Sequence, residues 1–149
     1  MTTSNSTDRL PWTDATWAFL TLRVFLALRW IISAIEKFEL NGDYSFANYY
    51  TNMRRMGEGI SSSSLLPTWL TLPYAYSLGH ITMLVGVLLL LGVKTRWMLV
   101  ATAALYVSLA AGMMAVEENQ GIAWLTIHII ATAGALLLLR HNRLALTRD

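Results

Sequence analysis

Cysteine is absent from this chain of 149 residues. Its absence excludes disulfides, iron–sulfur clusters, c-type haem attachment and thiol–disulfide exchange within this subunit, because each of these needs cysteine sulfur. Any cofactor that the chain binds must therefore be held by nitrogen or oxygen atoms.

Charge is the second scarcity: charged residues make up 13% of the chain and hydrophobic residues 55%. With a mean hydropathy of +0.47, the chain is too apolar for a soluble domain of this length. Its basic residues are scattered at the ends of apolar segments, where they would meet lipid headgroups, so a net charge of +2 does not indicate nucleic acid as a partner. The composition predicts an integral membrane protein in contact with lipid.

Four apolar segments are long enough to cross a bilayer, which takes roughly 20 helical residues. They cover residues 13–38, 74–91, 97–116 and 122–139. Short links after the second and third spans force antiparallel neighbours. The sequence therefore predicts a single membrane domain over residues 1–149, an all-α four-helix bundle. Lys and Arg are more frequent on the side that carries both termini, so we expect the termini to be cytoplasmic.

The first loop, residues 39–73, is long enough for a helix of its own. Its apolar residues recur at helical spacing and predict an amphipathic helix lying on the outer surface, ended by Gly57 and Gly59. Such a helix either faces lipid or caps the bundle, or it forms a lid or a partner-docking surface. In the second case, the residues expected to dock a partner are Tyr49, Tyr50 and Arg54.

Polar residues interrupt the spans at a few positions. Arg29, Ser33 and Glu36 share one face of the first span by their spacing. His80 and His128 each lie six residues into a predicted span, which places both roughly 9 Å below the outer surface. Charged and titratable groups are costly in lipid and often mark a functional site inside the bundle.

Three interpretations of the two histidines remain open. They could ligate the iron of one haem b, or they could hydrogen-bond a quinone, with Glu36 or Arg29 as catalytic groups on a proton route and Ser33 as a further contact. Alternatively, each histidine is neutral, is satisfied by a neighbouring hydroxyl or carbonyl, and only holds helices together.

Arg23 also lies within the first span, without an acidic partner in any of the spans. An arginine at the centre of a span is expensive, about +3 kcal/mol by insertion measurements. We therefore expect Arg23 either to snorkel inward or to contact another subunit of a membrane complex.

The chain resembles the DoxX/DoxD family of four-span membrane proteins. The resemblance is carried by the end of the first span, the loop up to Gly57, Leu66-Pro67 and, above all, the stretch from Gly86 to Arg96. It implies a small subunit of a quinone-linked respiratory oxidoreductase in a bacterial or archaeal cytoplasmic membrane. Lys37 matches the lysine that closes that family's first span. The resemblance therefore adds Lys37 to the candidate cofactor-binding residues His80, His128 and Ser33.

Two classes of function follow from these observations. The chain is either a redox subunit that binds quinone or haem, or a non-catalytic anchor that docks other subunits through the first loop and Arg23. A solute carrier is disfavoured, because four spans without a pair of broken helices do not provide the usual binding site.

Overall fold

The computed structural model describes residues 12–147, so the ends of the predicted domain lie outside the described residues. A short 3₁₀ turn, Leu139–His141, follows the last helix. The helices and strands are α1 (Asp14–Glu36), β1 (Glu39–Leu40), β2 (Asp43–Tyr44), α2 (Phe46–Ser63), α3 (Thr68–Leu91), α4 (Thr95–Ala115) and α5 (Asn119–Leu137).

Helices α1, α3, α4 and α5 are each long and apolar enough to cross a membrane. They form a ring in which α1 packs on α3, α3 on α4, α4 on α5, and α5 back on α1. The predicted all-α membrane bundle is confirmed. At its centre the rings of Trp30 and Tyr106 stack with centroids 4.3 Å apart, which joins the diagonal helices α1 and α4.

Two helix boundaries differ from the prediction. Helix α3 begins at Thr68, ahead of the predicted start at residue 74, and includes Pro73. Helix α2 continues through Gly57 and Gly59 and ends at Ser63. In both cases packing between α2 and α3 outweighs the local helix-breaking tendency of proline and glycine.

Helix α2, predicted in the first loop, packs along α3. A Cβ atom at Gly57 would come within 2.9 Å of Leu72, and one at Gly79 within 2.5 Å of the Tyr49 ring. These close approaches pair the start of α2 with the middle of α3 and the end of α2 with the start of α3. The two helices therefore form an antiparallel pair, which we call the α2–α3 hairpin.

The α2–α3 hairpin projects past the end of α1. Phe38, which follows α1, stacks on Tyr49 with ring centroids 4.7 Å apart, so α1 ends at the level of Gly79. The part of α3 before Gly79 then extends about 16 Å further at 1.5 Å per residue. The same end of the bundle carries the two-residue strands β1 and β2.

At the opposite end, the chain after α5 folds back under the bundle. The backbone amides of Leu146 and Thr147 donate to the carbonyls of Leu91 and Gly92, at 3.3 and 3.4 Å. Gly92 has φ +70, and a Cβ there would lie 2.7 Å from Ala145. Gly92 therefore both ends α3 in the left-handed conformation and makes room for the returning chain.

Candidate functional site

The junction of α2 and α3 holds a tyrosine and a histidine in contact. Tyr49 has no exposed surface. Its hydroxyl lies 2.5 Å from the carbonyl oxygen of Tyr76 and 3.1 Å from Nδ1 of His80. His80 itself is exposed. Tyr49 was predicted as a docking residue, but its side chain is fully buried and instead fixes α2 to α3.

The hydrogen-bond pattern determines which nitrogen of His80 carries the proton. Burial raises the pKa of the Tyr49 phenol, so this hydroxyl keeps its proton. A carbonyl oxygen can only accept, so the tyrosine donates to Tyr76 and can only accept from His80. The proton of neutral His80 therefore sits on Nδ1, and Nε2 carries a lone pair that no described residue hydrogen-bonds.

A stripe of side chains on α3 passes through His80. Tyr76 lies one turn before it and Leu84 one turn after it, on the same helical face. Tyr50 of α2 packs edge-on against Tyr76, with ring centroids 5.8 Å apart. On the other side of His80 the surface becomes aliphatic, with exposed Leu84, Val87 and Leu91. The exposed imidazole thus lies between an aromatic patch and an apolar track.

The polar residues at the end of α1 lie on the outside of the bundle. Arg29 and Glu36 form an ion pair at 3.9 Å, with 43% and 64% of their side-chain surfaces exposed. Neither makes a hydrogen bond or an ion pair with His80 or His128 among the described residues. The face that carries Arg29 and Glu36 therefore does not form one site with either histidine.

Lys37, the first residue after α1, folds back along the same face. Its Nζ donates to the backbone carbonyl of Ser33 at 2.9 Å and to the Ser33 hydroxyl at 3.0 Å. The pKa of this amine is lowered to about 8, chiefly by burial and also by the positive charge of Arg29, while the negative charge of Glu36 opposes the shift.

His128 lies in a separate environment, inside the bundle and 8% exposed. It stacks on Phe25 of α1 and tilts against Tyr106 of α4, with ring centroids 5.7 and 5.2 Å apart. Its Nδ1 donates to the carbonyl of Trp124 at 2.7 Å. The neighbouring Thr132 hydroxyl donates to the backbone carbonyl of His128 at 2.7 Å and not to its ring.

The structure does not bring the two histidines together. His80 contacts residues of α2 and α3, whereas His128 contacts residues of α1, α4 and α5, and among residues 12–147 no hydrogen bond or ring contact links one residue to both histidines. Within residues 12–147, no group of three or more His, Asp or Glu side chains could hold a metal ion.

Arg23 is buried inside this chain, which contradicts its predicted contact with another subunit. It is 3% exposed. Its Nη1 donates to Oδ1 of Asn142 at 2.6 Å, and the Asn142 amide donates to the Thr95 hydroxyl at 2.8 Å. The partner is a neutral amide far along the chain, and sequence reasoning missed it because only the spans were searched for acidic residues.

Sequence reasoning also missed the polar atoms at the centre of the bundle. Trp30 Nε1, Thr102 Oγ1 and Tyr106 Oη are buried and have no hydrogen-bond partner within residues 12–147. No pattern in the sequence marks Trp30 or Tyr106 as a residue of the bundle centre.

The α2–α3 hairpin carries the exposed polar and aromatic residues predicted for docking. Tyr50 is 54% exposed, and Phe46, at the start of α2, is 69% exposed. Arg54 forms an exposed ion pair with Glu58 at 2.7 Å, and this neighbour raises the pKa of the guanidinium. Tyr50 and Arg54 are thus exposed on α2, and their docking role stays a prediction.

Together, the four apolar helices and the projecting hairpin define a small multi-pass membrane protein. A sequence model of the family described as methylamine utilisation protein MauE matches residues 15–121. Since this match covers most of the chain, the chain belongs to the MauE family.

This result overturns the resemblance to DoxX/DoxD. The motif that carried most of the resemblance, Gly86 to Arg96, has a structural explanation. A Cβ atom at Gly86 would lie 2.9 Å from Ile31 of α1, and Gly92 ends α3 with φ +70. A close helix contact followed by a glycine cap and a basic turn suits many antiparallel membrane helix pairs, so it does not specify one family. Searches of curated proteins and of solved structures found no significant match.

Proposed function

We propose that this chain is a non-catalytic accessory protein of methylamine utilisation, embedded in a bacterial or archaeal cytoplasmic membrane, which docks a partner protein through its α2–α3 hairpin. The observation that carries the proposal is the projecting hairpin itself, with large aromatic and charged side chains on a helix that is firmly packed on its other face. The process is suggested by the description of the family to which the chain belongs.

A docking surface should be rigid, because ordering a flexible segment on binding reduces affinity. The hairpin meets this requirement, since Tyr49 and Met53 of α2 are buried against α3 and glycines at the contact allow close approach. The exposed face offers Phe46 and Tyr50, and aromatic residues are enriched at protein interfaces. The lack of cysteine is consistent with a supporting role, with redox chemistry carried by other proteins.

The orientation is part of the proposal. With both termini cytoplasmic, the hairpin projects on the opposite side of the membrane. An accessory protein of this form would meet its partner outside the cytoplasm.

The test uses growth on methylamine of a bacterium that carries this chain. Deletion of the gene is expected to abolish growth on methylamine but not on other substrates, and the wild-type gene should restore it. Phe46→Ala combined with Arg54→Ala should fail to restore growth while reaching the membrane at normal level. Val107→Ala, on an exposed part of α4, is the matched control and should restore growth fully.

Two outcomes would reject the proposal. Normal growth of the deletion strain on methylamine would exclude the process, and full rescue by the hairpin variant would exclude this docking surface.

A further inference from the structure

We propose that His80 is the head of a binding site for a membrane-soluble quinol, whose hydroxyl donates to Nε2 and whose tail runs along the apolar track of α3. This site adds a small-molecule ligand to the proposed accessory role and shares Tyr50 with the docking face of α2.

The chemistry of the ligand follows from the proton on His80. Because Tyr49 and the carbonyl of Tyr76 hold the proton on Nδ1, the neutral imidazole offers only an acceptor on its exposed edge. A ligand that carries only carbonyl oxygens cannot use that acceptor, whereas one with a hydroxyl can. The site therefore favours a reduced, hydroxyl-bearing ring over its oxidised form.

The shape of the ligand follows from the surface around His80. The exposed ring of Tyr50 and the half-buried ring of Tyr76 form an aromatic wall on one side. On the other side, Leu84, Val87 and Leu91 follow one another at helical spacing and are 60%, 38% and 47% exposed. A flat ring with an aliphatic tail matches these surfaces, because the ring would pack against the two tyrosines and the tail against the aliphatic side chains of α3.

The orientation of the His80 ring is fixed by the packing of α2 on α3. Tyr49 is fully buried, and Gly79 lets its ring approach the backbone of α3 directly beside His80. The packing that attaches α2 thus also fixes the imidazole in one tautomer. Preorganisation of this kind supports ligand binding, since the imidazole loses no further conformational freedom when the ligand binds.

The test measures binding of decylubiquinol and of decylubiquinone to the purified full chain in phosphatidylcholine nanodiscs. The quinol can be kept reduced with dithionite, because the chain has no disulfide to break. We expect saturable binding of the quinol, about five- to tenfold tighter than of the quinone, the factor that one neutral hydrogen bond provides.

Two variants separate the roles of the ring nitrogens. His80→Asn retains a donor at the position of Nδ1 but has no acceptor at that of Nε2, so quinol binding should weaken about five- to tenfold. His80→Gln places an amide oxygen near the position of Nε2 and should bind within about threefold of wild type. His128→Asn, in the other environment, is the control and should bind like wild type.

Three results would overturn the site: no saturable binding of the quinol, equal binding of quinol and quinone, or equal binding by wild type and His80→Asn. If phosphatidylglycerol in the nanodisc displaces the quinol at ordinary membrane content, the acceptor serves a lipid headgroup and the assignment to a quinol is wrong. None of these results depends on growth on methylamine, so the site and the proposed accessory function can fail separately.

Discussion

Arg23 is the one Lys, Arg, Asp or Glu residue that is buried in the described part of the bundle. Its guanidinium is buried, one hydrogen bond joins it to Asn142, and its Nε has no partner. Asn142→Ala removes that bond and leaves a buried charged donor unpaired, which we expect to lower the free energy of unfolding by about 1 to 3 kcal/mol. Thermal unfolding of the purified protein in detergent measures this change.

The isosteric variant Asn142→Asp serves as the control. It preserves the acceptor for Arg23 and adds a negative charge, while the Thr95 hydroxyl can rotate to donate to the carboxylate. We expect Asn142→Asp to be at least as stable as wild type. Equal destabilisation by both variants would mean that Asn142 acts through its shape and not through Arg23.

At the scale of helices, the packing of α2 on α3 predicts the effect of a substitution at Gly79. A Cβ atom at Gly79 would lie 2.5 Å from the Tyr49 ring, so Gly79→Ala must push α2 away from α3. Overpacking of this kind costs about 1 to 3 kcal/mol, more than the helix propensity gained by alanine. We expect a lower unfolding temperature and faster proteolysis within α2.

Gly59 provides the matched comparison, because nothing lies within 4 Å of a Cβ atom built there. Gly59→Ala should stabilise α2 by roughly 0.5 to 1 kcal/mol through helix propensity alone. If Gly79→Ala were equally stabilising, the close packing of α2 on α3 would be refuted.

Sequence patterns predicted the helices of this protein better than they predicted which side chains of each helix are buried. The four spans were recognisable because length and hydropathy depend on many residues at once. The exposure of His80 and the burial of Tyr49 depend on how two particular helices meet, and a single glycine, Gly79, decides that contact. The continuation of α2 through Gly57 could not be predicted for the same reason, since its stabilising partner lies on α3.

For the whole molecule, the two lysines test the orientation in the membrane. Lys37 and Lys94 are the only lysines in the chain. They follow α1 and α3, which run in opposite directions, so they lie at opposite ends of the bundle. With both termini cytoplasmic, a membrane-impermeant amine reagent should label Lys37 in right-side-out vesicles and Lys94 in inverted ones. The reverse pattern would invert the proposed orientation.

The pH dependence of labelling at Lys37 tests the lowered pKa of this residue. Only a neutral amine reacts, and burial lowers the pKa of Lys37 from 10.5 to about 8. The neutral fraction is therefore about one half at pH 8, where an ordinary lysine would have well under 1%. In a Lys94→Arg variant, labelling at Lys37 should rise with pH, with a midpoint near 8 and a plateau above it. A rate that still climbs steeply beyond pH 9 would contradict the depressed pKa.

The bond between Arg23 and Asn142 also sets an order of events during synthesis. Its two residues are 119 positions apart, so at 5–20 residues per second Arg23 waits about 6 to 24 s for its partner to be made. Arg29, in contrast, has Glu36 within the same helix. When α1 enters the membrane, Arg29 therefore has its partner within the helix, whereas Arg23 does not yet have one. The environment of Arg23 is completed only when the segment that carries Asn142 has been made.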